Sequence, residues 1–349
     1  MRRPVVWLLS AYRSDSHAWW ADWLRNTLDE FEWVSLELPG RHFRWRIRGN
    51  PLSWLDKLPA TPPDLVIATS MVDLSTIKGL TPQLAKVPCI YYFHENQFAY
   101  PVGEHQVRSI EPQMVQLYGA LSADVCLFNS DHNKQSFLDG IDALLKKMPD
   151  HVPDNVSGRL RARSSVLPVP INPLPAAAKE RLILWNHRWE YDKAPEVFVE
   201  AMLALAAEGT AFELALLGPR GDRPPACLQV LRDALPGRIR HDGMLPRDDY
   251  ERVLAAARLV VSTAVHEFQG LSVLEAVSAG AIPVVPDALC YPEQYPTQCR
   301  YTSGDPAALL DRVQHWLESE ISEVIDIKAF SSGFLRGEWS SRLSECIRD

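Results

Sequence analysis

Thirteen residues near the middle of the chain, LPVPINPLPAAAK from Leu167 to Lys179, carry four prolines. A proline has no N–H to donate and holds φ near −65°, so this stretch neither continues a helix nor runs as a central strand. It reads as a linker between two halves of similar texture. Before it, short apolar runs at Val5–Leu9, Val34–Leu38, Leu65–Ala68, Ile90–Phe93, Val125–Phe128 and Ser165–Leu167 alternate with helical spacing. After it the alternation resumes at Leu182–Trp185, Phe212–Leu217, Arg238–His241, Leu259–Ser262 and Ile282–Val285, with helices around Pro195–Ala207, Pro246–Ala257 and Leu271–Ala279. Apolar strands alternating with helices predict an α/β chain with two open parallel sheets. The expected domains are residues 1–172 and 173–330, with residues 331–349 as a C-terminal helix, near Gly337 to Arg348, that crosses back to the first half. In such sheets ligands bind beyond the carboxyl ends of the strands, which directs attention to the residues after each run.

The chain has 349 residues, 46% hydrophobic and 23% charged, and no apolar run near the ~18–20 residues that cross a bilayer. Val5 to Leu9 is too short for a signal-peptide core and is followed by polar residues, so it reads as the first strand. Six scattered cysteines (Cys89, Cys126, Cys227, Cys290, Cys299 and Cys346) include no Cys-x-x-Cys pair. Reduced thiols, a cytoplasmic location and no stable membrane association are therefore expected. A net charge of −8 argues against a globally basic nucleic-acid binder and leaves local patches open.

The segment RLVVSTAVHEFQGLSVLEAVSAGAIPVVP, Arg258 to Pro286, places Glu267 and Glu275 with seven residues between them, between a strand and a second strand. Glu267 falls beyond a strand end. Glu275 is expected in the first turn of the next helix, where the N–H groups of Gly270, Leu271 and Ser272 are free to hold a phosphate or sugar oxygen. Two carboxylates around an anion-binding helix end suit a nucleotide-sugar. The alternative is a Ser-x-x-Glu capping box of Ser272 and Glu275, with Glu267 a solvated loop residue. Strand Leu182–Trp185 runs into NHRWEYDK, placing Arg188 and Lys193 where two cations neutralise a leaving diphosphate, or else pair on the surface with Glu190 and Asp192. Gly218, in LALLGPR, is expected to permit close approach of a nucleotide. His241, Asp242 and Gly243 stand at another strand end, as base contacts or as ordinary turn residues.

This Glu-x7-Glu pattern resembles that of retaining family 4 glycosyltransferases of the GT-B fold, whose two Rossmann-like domains face each other across an active-site cleft. The resemblance implies that Glu267 contacts the donor sugar, that Glu275 contacts the ribose, and that Arg188 and Lys193 are the family's cationic pair. It also implies front-face attack, with the departing phosphate taking the acceptor's proton. No Asp-x-Asp motif and no metal-ligand spacing occurs in the sequence. No metal or other cofactor is therefore expected, and the two cations would do the work of Mg²⁺.

In the first half, YYFHENQFAYP ends a strand with His94, Glu95, Asn96 and Gln97. Together with PGRHFRWR, FNSDHNKQSF, MPDHVP and VLPVPI, this set resembles the tRNA-queuosine α-mannosyltransferases. That family transfers mannose from GDP-mannose to the cyclopentenediol of queuosine at the wobble position of tRNA-Asp. The resemblance implies a catalytic place for His94 beside the sugar, with Glu95, Asn96 and Gln97 on the acceptor side; a histidine at a strand end is equally at home as scaffold. The strip Gly40 to Arg48 joins Arg41, Arg44, Arg46 and Arg48 to His42, Phe43 and Trp45 with no acid between, as phosphate contact and base stacking require. An edge strand whose arginines pair with acids elsewhere is the alternative. Arg159, Arg161 and Arg163 extend the basic surface or form a solvated loop. Two other functions stay open: a family 4 enzyme with a lipid-linked or small-molecule acceptor, although no basic amphipathic membrane helix is legible in the first half, and a silent nucleotide-sugar or RNA-binding module. The residues alone do not separate guanine from uracil or adenine, mannose from galactose or glucose, or a monomer from an oligomer.

Overall fold

A computed structural model describes residues 2–100, 109–221, 223–319 and 325–348. Pro101, which closes the HENQFAYP segment, lies outside the described residues, as do Met1 and Asp349. Among the described residues the strands are β1 (Val5–Arg13), β2 (Glu32–Pro39), β3 (Leu65–Thr69), β4 (Cys89–Phe93), β5 (Val125–Phe128), β6 (Ser164–Val166), β7 (Glu180–Trp185), β8 (Glu213–Leu216), β9 (Ile239–Asp242), β10 (Ala257–Val261), β11 (Ile282–Pro286) and β12 (Arg300–Tyr301). They form two six-stranded sheets, ordered β2-β1-β3-β4-β5-β6 and β12-β11-β10-β7-β8-β9. Every neighbouring pair is parallel. The α/β class read from the sequence is the one observed. Only β12 lacks a counterpart there, because two residues are too few to show a period.

The chain divides into two compact units, Met1–Pro170 with Gly333–Asp349, and Ile171–Ser332. The division falls inside the proline-rich stretch. In each sheet the strand order reverses once, between β1 and β3 in the first and between β7 and β10 in the second. Strands β3, β4 and β11 are buried along their whole length, since helices cover both faces of the sheet. The first core gathers Trp7, Tyr91, Phe93, Phe128 and Phe137; the second gathers Trp185, Phe198, Leu259 and Val284. The helix Ser332–Arg348 belongs almost wholly to the first unit. Its Trp339 is fully buried there, against Trp20, with its indole N–H donating to the Pro168 carbonyl at 3.3 Å.

The arginine strip is not extended. Strand β2 stops at Pro39, and Phe43–Trp54 is a helix entered through His42 in the left-handed region. Pro51 lies inside that helix and has no N–H for the Ile47 carbonyl. Asn50, fully buried, makes up the loss: its Nδ2 donates to the carbonyls of Arg46 (2.7 Å), Ile47 (3.3 Å) and Met71 (3.2 Å), and its Oδ1 accepts from the Asp73 N–H. A tertiary anchor thus rescues a helix whose local sequence argues against it. On this helix Arg44, Trp45, Arg48 and Leu52, with Leu55 just past its end, share one exposed face. Phe43 turns the other way, edge-on to Tyr12.

Candidate active site

Strands β7 and β10 are neighbours at the reversal point of the second sheet, so the segments leaving them, residues 186–194 and 262–270, run side by side. Asp192 and Lys193 lace them together. The Asp192 carbonyl accepts from the N–H groups of Val265 (3.0 Å) and His266 (3.3 Å), and Thr263 Oγ1 donates to the carbonyl of Lys193 at 2.7 Å. Lys193 Nζ donates to the His266 carbonyl (2.8 Å) and to Glu267 Oε2 (3.1 Å), and lies 3.3 Å from the Asp192 carboxylate. Burial alone would push the Glu267 carboxyl up. The Lys193 ammonium, the His187 ring and the Gly270 N–H outweigh it and hold that carboxyl at about 2. Burial likewise opposes the charge on Lys193, yet Glu267 and Asp192 keep it above the ordinary lysine range. Glu267 is therefore a held anion and not a solvated loop residue.

Arg188 stands at the rim, its side chain 43% exposed, 2.8 Å from Glu190 and 3.1 Å from Asp192. The acidic partners of the alternative reading do engage it, and Asp192 ends up between the two cations. His187, which the sequence reading passed over, is buried beside them, its Nδ1 3.5 Å from Ser272 Oγ, and burial holds its ring neutral with a pKa of about 4.

The helix Leu271–Ser278 begins after Gly270, whose φ of 68° is left-handed. That start corrects two expectations. Glu275 is the fifth helical residue and lies beyond the first turn, where it accepts from the Tyr250 hydroxyl (3.1 Å) and Arg247 (3.3 Å). Ser272 is second and not a cap, so no capping box forms. The Gly270 N–H is turned to Glu267. This leaves Leu271 and Ser272 as the first-turn donors without an intrahelical acceptor. At Gly218, φ 97°, a Cβ would lie 2.0 Å from the His187 carbonyl oxygen, so this glycine is needed for contact between the loops after β7 and β8. Asp242 is taken by Arg220 and Arg232, as turn chemistry.

In the first unit His94 follows β4 and is 6% exposed. Its ring stacks on that of His17 with centroids 4.0 Å apart, and meets Trp20 and Tyr92 edge-on at 4.8 and 4.7 Å. Burial keeps both imidazoles neutral, His17 at about 4 and His94 well below its usual value. The only sequence signal for His17 is the polar run RSDSH between a strand and a helix. Asn96 is fully buried; its Nδ2 donates to Asn133 Oδ1 and Ser136 Oγ, both at 2.9 Å, and its Oδ1 accepts from the N–H groups of Phe98 and Ala99. Every polar atom of Asn96 organises the loop, which corrects its assignment to an acceptor. The Glu95 carbonyl accepts from Ser70 Oγ, and the Gln97 N–H donates to Gln116; both side chains are half-buried.

The basic strip divides. Arg41, His42, Arg44 and Trp45 are exposed, whereas Phe43 and Arg46 are half-buried, so Phe43 is not a free stacking platform. Arg48 is tied to Asp73 (2.8 Å) and Glu111 (3.3 Å). Arg163 is no part of a basic surface: its guanidinium caps the helix Glu111–Ser122 at the carbonyls of Ala120, Leu121 and Ala123. Among the described residues no helix is long and apolar enough to cross a membrane, and no group of three or more His, Cys, Asp or Glu is placed to hold a metal.

Residues 5–171 match the family described as tRNA-queuosine alpha-mannosyltransferase N-terminal, and residues 180–319 match the glycosyl transferases group 1. A Drosophila melanogaster protein named tRNA-queuosine alpha-mannosyltransferase is 30% identical over 319 residues, 87% of this chain and 85% of the relative. Among solved structures, Anabaena HepE in complex with UDP aligns over 98% of this chain and 100% of its own, with a TM-score of 0.70 at 14% identity. Sucrose-phosphate synthase from Thermosynechococcus elongatus aligns over 99% of each chain with a TM-score of 0.72 at 12% identity. At such identities the likeness speaks for the fold, which is of the GT-B glycosyltransferase class.

Proposed function

The chain belongs to the tRNA-queuosine alpha-mannosyltransferase family, and from that premise we propose that it moves mannose from GDP-mannose to the cyclopentenediol of queuosine at the wobble position of tRNA-Asp, in the cytoplasm. The observation that carries the chemistry is the buried Lys193–Glu267 pair beside the first turn of helix Leu271–Ser278. Lys193, with Arg188 released from Glu190, neutralises the departing diphosphate, whose oxygens take the N–H groups of Leu271 and Ser272. Glu267, ionised at any physiological pH, accepts hydrogen bonds from the donor sugar. Glu275, already an acceptor for Tyr250, is within the same helix to take the ribose hydroxyls. His94 sits beside the sugar, and the departing phosphate accepts the acceptor's proton. This scheme uses no metal, so transfer should persist in EDTA.

The start of helix Phe43–Trp54 suits the RNA: Arg41, ahead of the helix, and Arg44 on its exposed face for phosphates, and Trp45, 53% exposed, for an unpaired base. The same face also favours a second reading. Leu52 and Leu55, 63% and 50% exposed beside those arginines, offer apolar contact that a lipid-linked acceptor would use.

The test is incubation with queuosine-containing tRNA and a panel of nucleotide-sugars, with EDTA present, followed by mass spectrometry of the released nucleosides. One hexose added to queuosine from GDP-mannose is the expected result. Sedimentation with anionic vesicles, together with no transfer to queuosine, would replace the RNA reading with the lipid one.

A further inference from the structure

We propose that Tyr250 is a positioning residue of the donor site: its hydroxyl proton fixes the Glu275 carboxylate in the orientation that receives the nucleotide's ribose hydroxyls. The ribose partner rests on the transferase reading above; the hydrogen-bonded array that holds Glu275 rests on the geometry of the second unit. Three segments meet at the reversal point of its sheet. Asn186 stands directly after β7, Tyr250 lies in the helix Arg247–Ala256 that leads into β10, and Glu275 lies in the helix Leu271–Ser278 that follows β10. Asn186 Nδ2 is 2.8 Å from the Ser272 carbonyl and 3.2 Å from the Tyr250 hydroxyl, and that hydroxyl is 3.1 Å from Glu275 Oε2. The other carboxylate oxygen, Oε1, meets Arg247 at 3.3 Å.

The direction of each bond in this array follows from the groups that can only accept. A carbonyl has no hydrogen to give, so the amide atom facing Ser272 is the nitrogen of Asn186 and not its oxygen. The second hydrogen of that nitrogen goes to the Tyr250 oxygen, and the phenol's one proton is left for Glu275. Burial and the nearby Glu275 carboxylate push the Tyr250 hydroxyl above its ordinary value, so it stays a donor. Asn186 is 8% exposed and the Glu275 side chain 25%, whereas Arg247 is 56% exposed and also engages Glu251. Water competes freely with the arginine and poorly with the phenol, so Tyr250 is the donor that orients the carboxylate. Each carboxylate oxygen then has one protein donor and a lone pair to spare, and neighbouring ribose hydroxyls meet two acceptors already aimed. Through the Ser272 carbonyl the same array is tied to the helix turn assigned above to the diphosphate, which sets ribose and phosphate in register.

The experiment measures binding of GDP, UDP and ADP, each against its 2′,3′-dideoxy form, in wild type, Tyr250→Phe, Glu275→Ala and the double variant. Tyr250→Phe keeps the ring beneath the Arg247 guanidinium and removes one oxygen. For the nucleotide that wild type binds best, the preference for the ribose form should fall roughly threefold to tenfold in Tyr250→Phe, with the dideoxy form bound as in wild type. In the double variant the preference should be no lower than in Glu275→Ala alone, since the phenol acts only through that carboxylate. A residue that merely supports the fold would weaken both forms alike and leave their ratio unchanged. Asn186→Asp, of the same shape, turns the amide donor into a second acceptor for the Tyr250 proton and should also lower the ratio; it is measured in place of Tyr250→Phe if that variant does not fold. A ratio that Glu275→Ala lowers and the folded Tyr250→Phe leaves intact overturns the proposal alone. No preference in wild type, or one that Glu275→Ala leaves intact, overturns the ribose role of Glu275 and the proposal with it. Ratios that change as expected in a protein that adds no mannose to queuosine would instead overturn the transferase reading and leave Tyr250 in its place.

Discussion

At Lys193 one ammonium is shared among the Glu267 carboxylate, the Asp192 carboxylate and the His266 carbonyl, almost out of reach of water. Arg188, carrying the same charge, is half-exposed. The two cations should therefore separate in experiment. Lys193→Met strands two carboxylates and is expected to cost about 3–5 kcal/mol of stability, as removal of one partner from a buried pair does. Arg188→Ala should cost less than about 1 kcal/mol. Both should slow transfer by roughly a hundredfold or more, since each loses a cation that meets the departing diphosphate. Urea unfolding and single-turnover transfer assays check this, and equal stability losses would contradict it. The Glu267 carboxyl adds a pH signature. Its folded pKa, about 2, lies below its unfolded value near 4.5, so its stabilising effect is complete above about pH 5 and is lost as pH falls toward 2. Glu267→Gln should abolish that part of the acid dependence.

Two elements are held in conformations their own residues resist. The helix Phe43–Trp54 contains Gly49 and Pro51, and stands because buried Asn50 supplies the donor that Pro51 lacks. Asn50→Ala should destabilise the protein by about 1–3 kcal/mol, the cost of leaving buried carbonyls and the Asp73 N–H unpaired, and should raise hydrogen exchange along residues 43–54. Unchanged exchange there would mean that the helix needs no such anchor. Ala194, ahead of helix Pro195–Ala207, sits at φ 42° and ψ 58°, a left-handed conformation that costs a residue with a Cβ about 1–2 kcal/mol. Ala194→Gly relieves this strain but adds freedom to the unfolded chain, so a net gain of up to about 1 kcal/mol is expected in thermal melts. A drop in melting temperature would show that the strain is absent.

Among the described residues, His17 and His94 in the first unit and His187 in the second are buried with lowered pKa values, and each adds to the response to acid. Each has a folded pKa pushed below the unfolded value of 6.5, so the unfolded chain binds the proton first. Stability is whole above about pH 6.5 and falls as pH drops toward 4. Each histidine contributes a slope of up to about 1.4 kcal/mol per pH unit. If the units unfold separately, His17 and His94 should make the first lose stability as pH falls, and His187 the second. Denaturant titrations at pH 7, 6 and 5, with one probe in each unit, measure the two slopes; a flat profile would mean that these rings are charged in the folded protein.

Much of this was legible without coordinates. Apolar strands buried on both faces must be continuous in sequence, which is why the βα series and the proline-rich divide could be read from residue order alone. The positions of Glu267, Arg188 and Lys193 were legible for a related reason: the segments that follow strands β7 and β10 must leave from neighbouring carboxyl ends once those strands pair in parallel. Tertiary structure decided what depends on a neighbour distant in sequence. The strip from Phe43 is helical because Asn50 reaches Met71 and Asp73. Arg163 is a cap because its helix end is 40 residues away in the chain. Asn96 is bound up with Asn133 and Ser136, and His17 matters only because the fold lays it on His94. Sequence order carries local periodicity and strand ends; which polar atoms are already satisfied, and so which remain for a ligand, is settled only when distant segments meet.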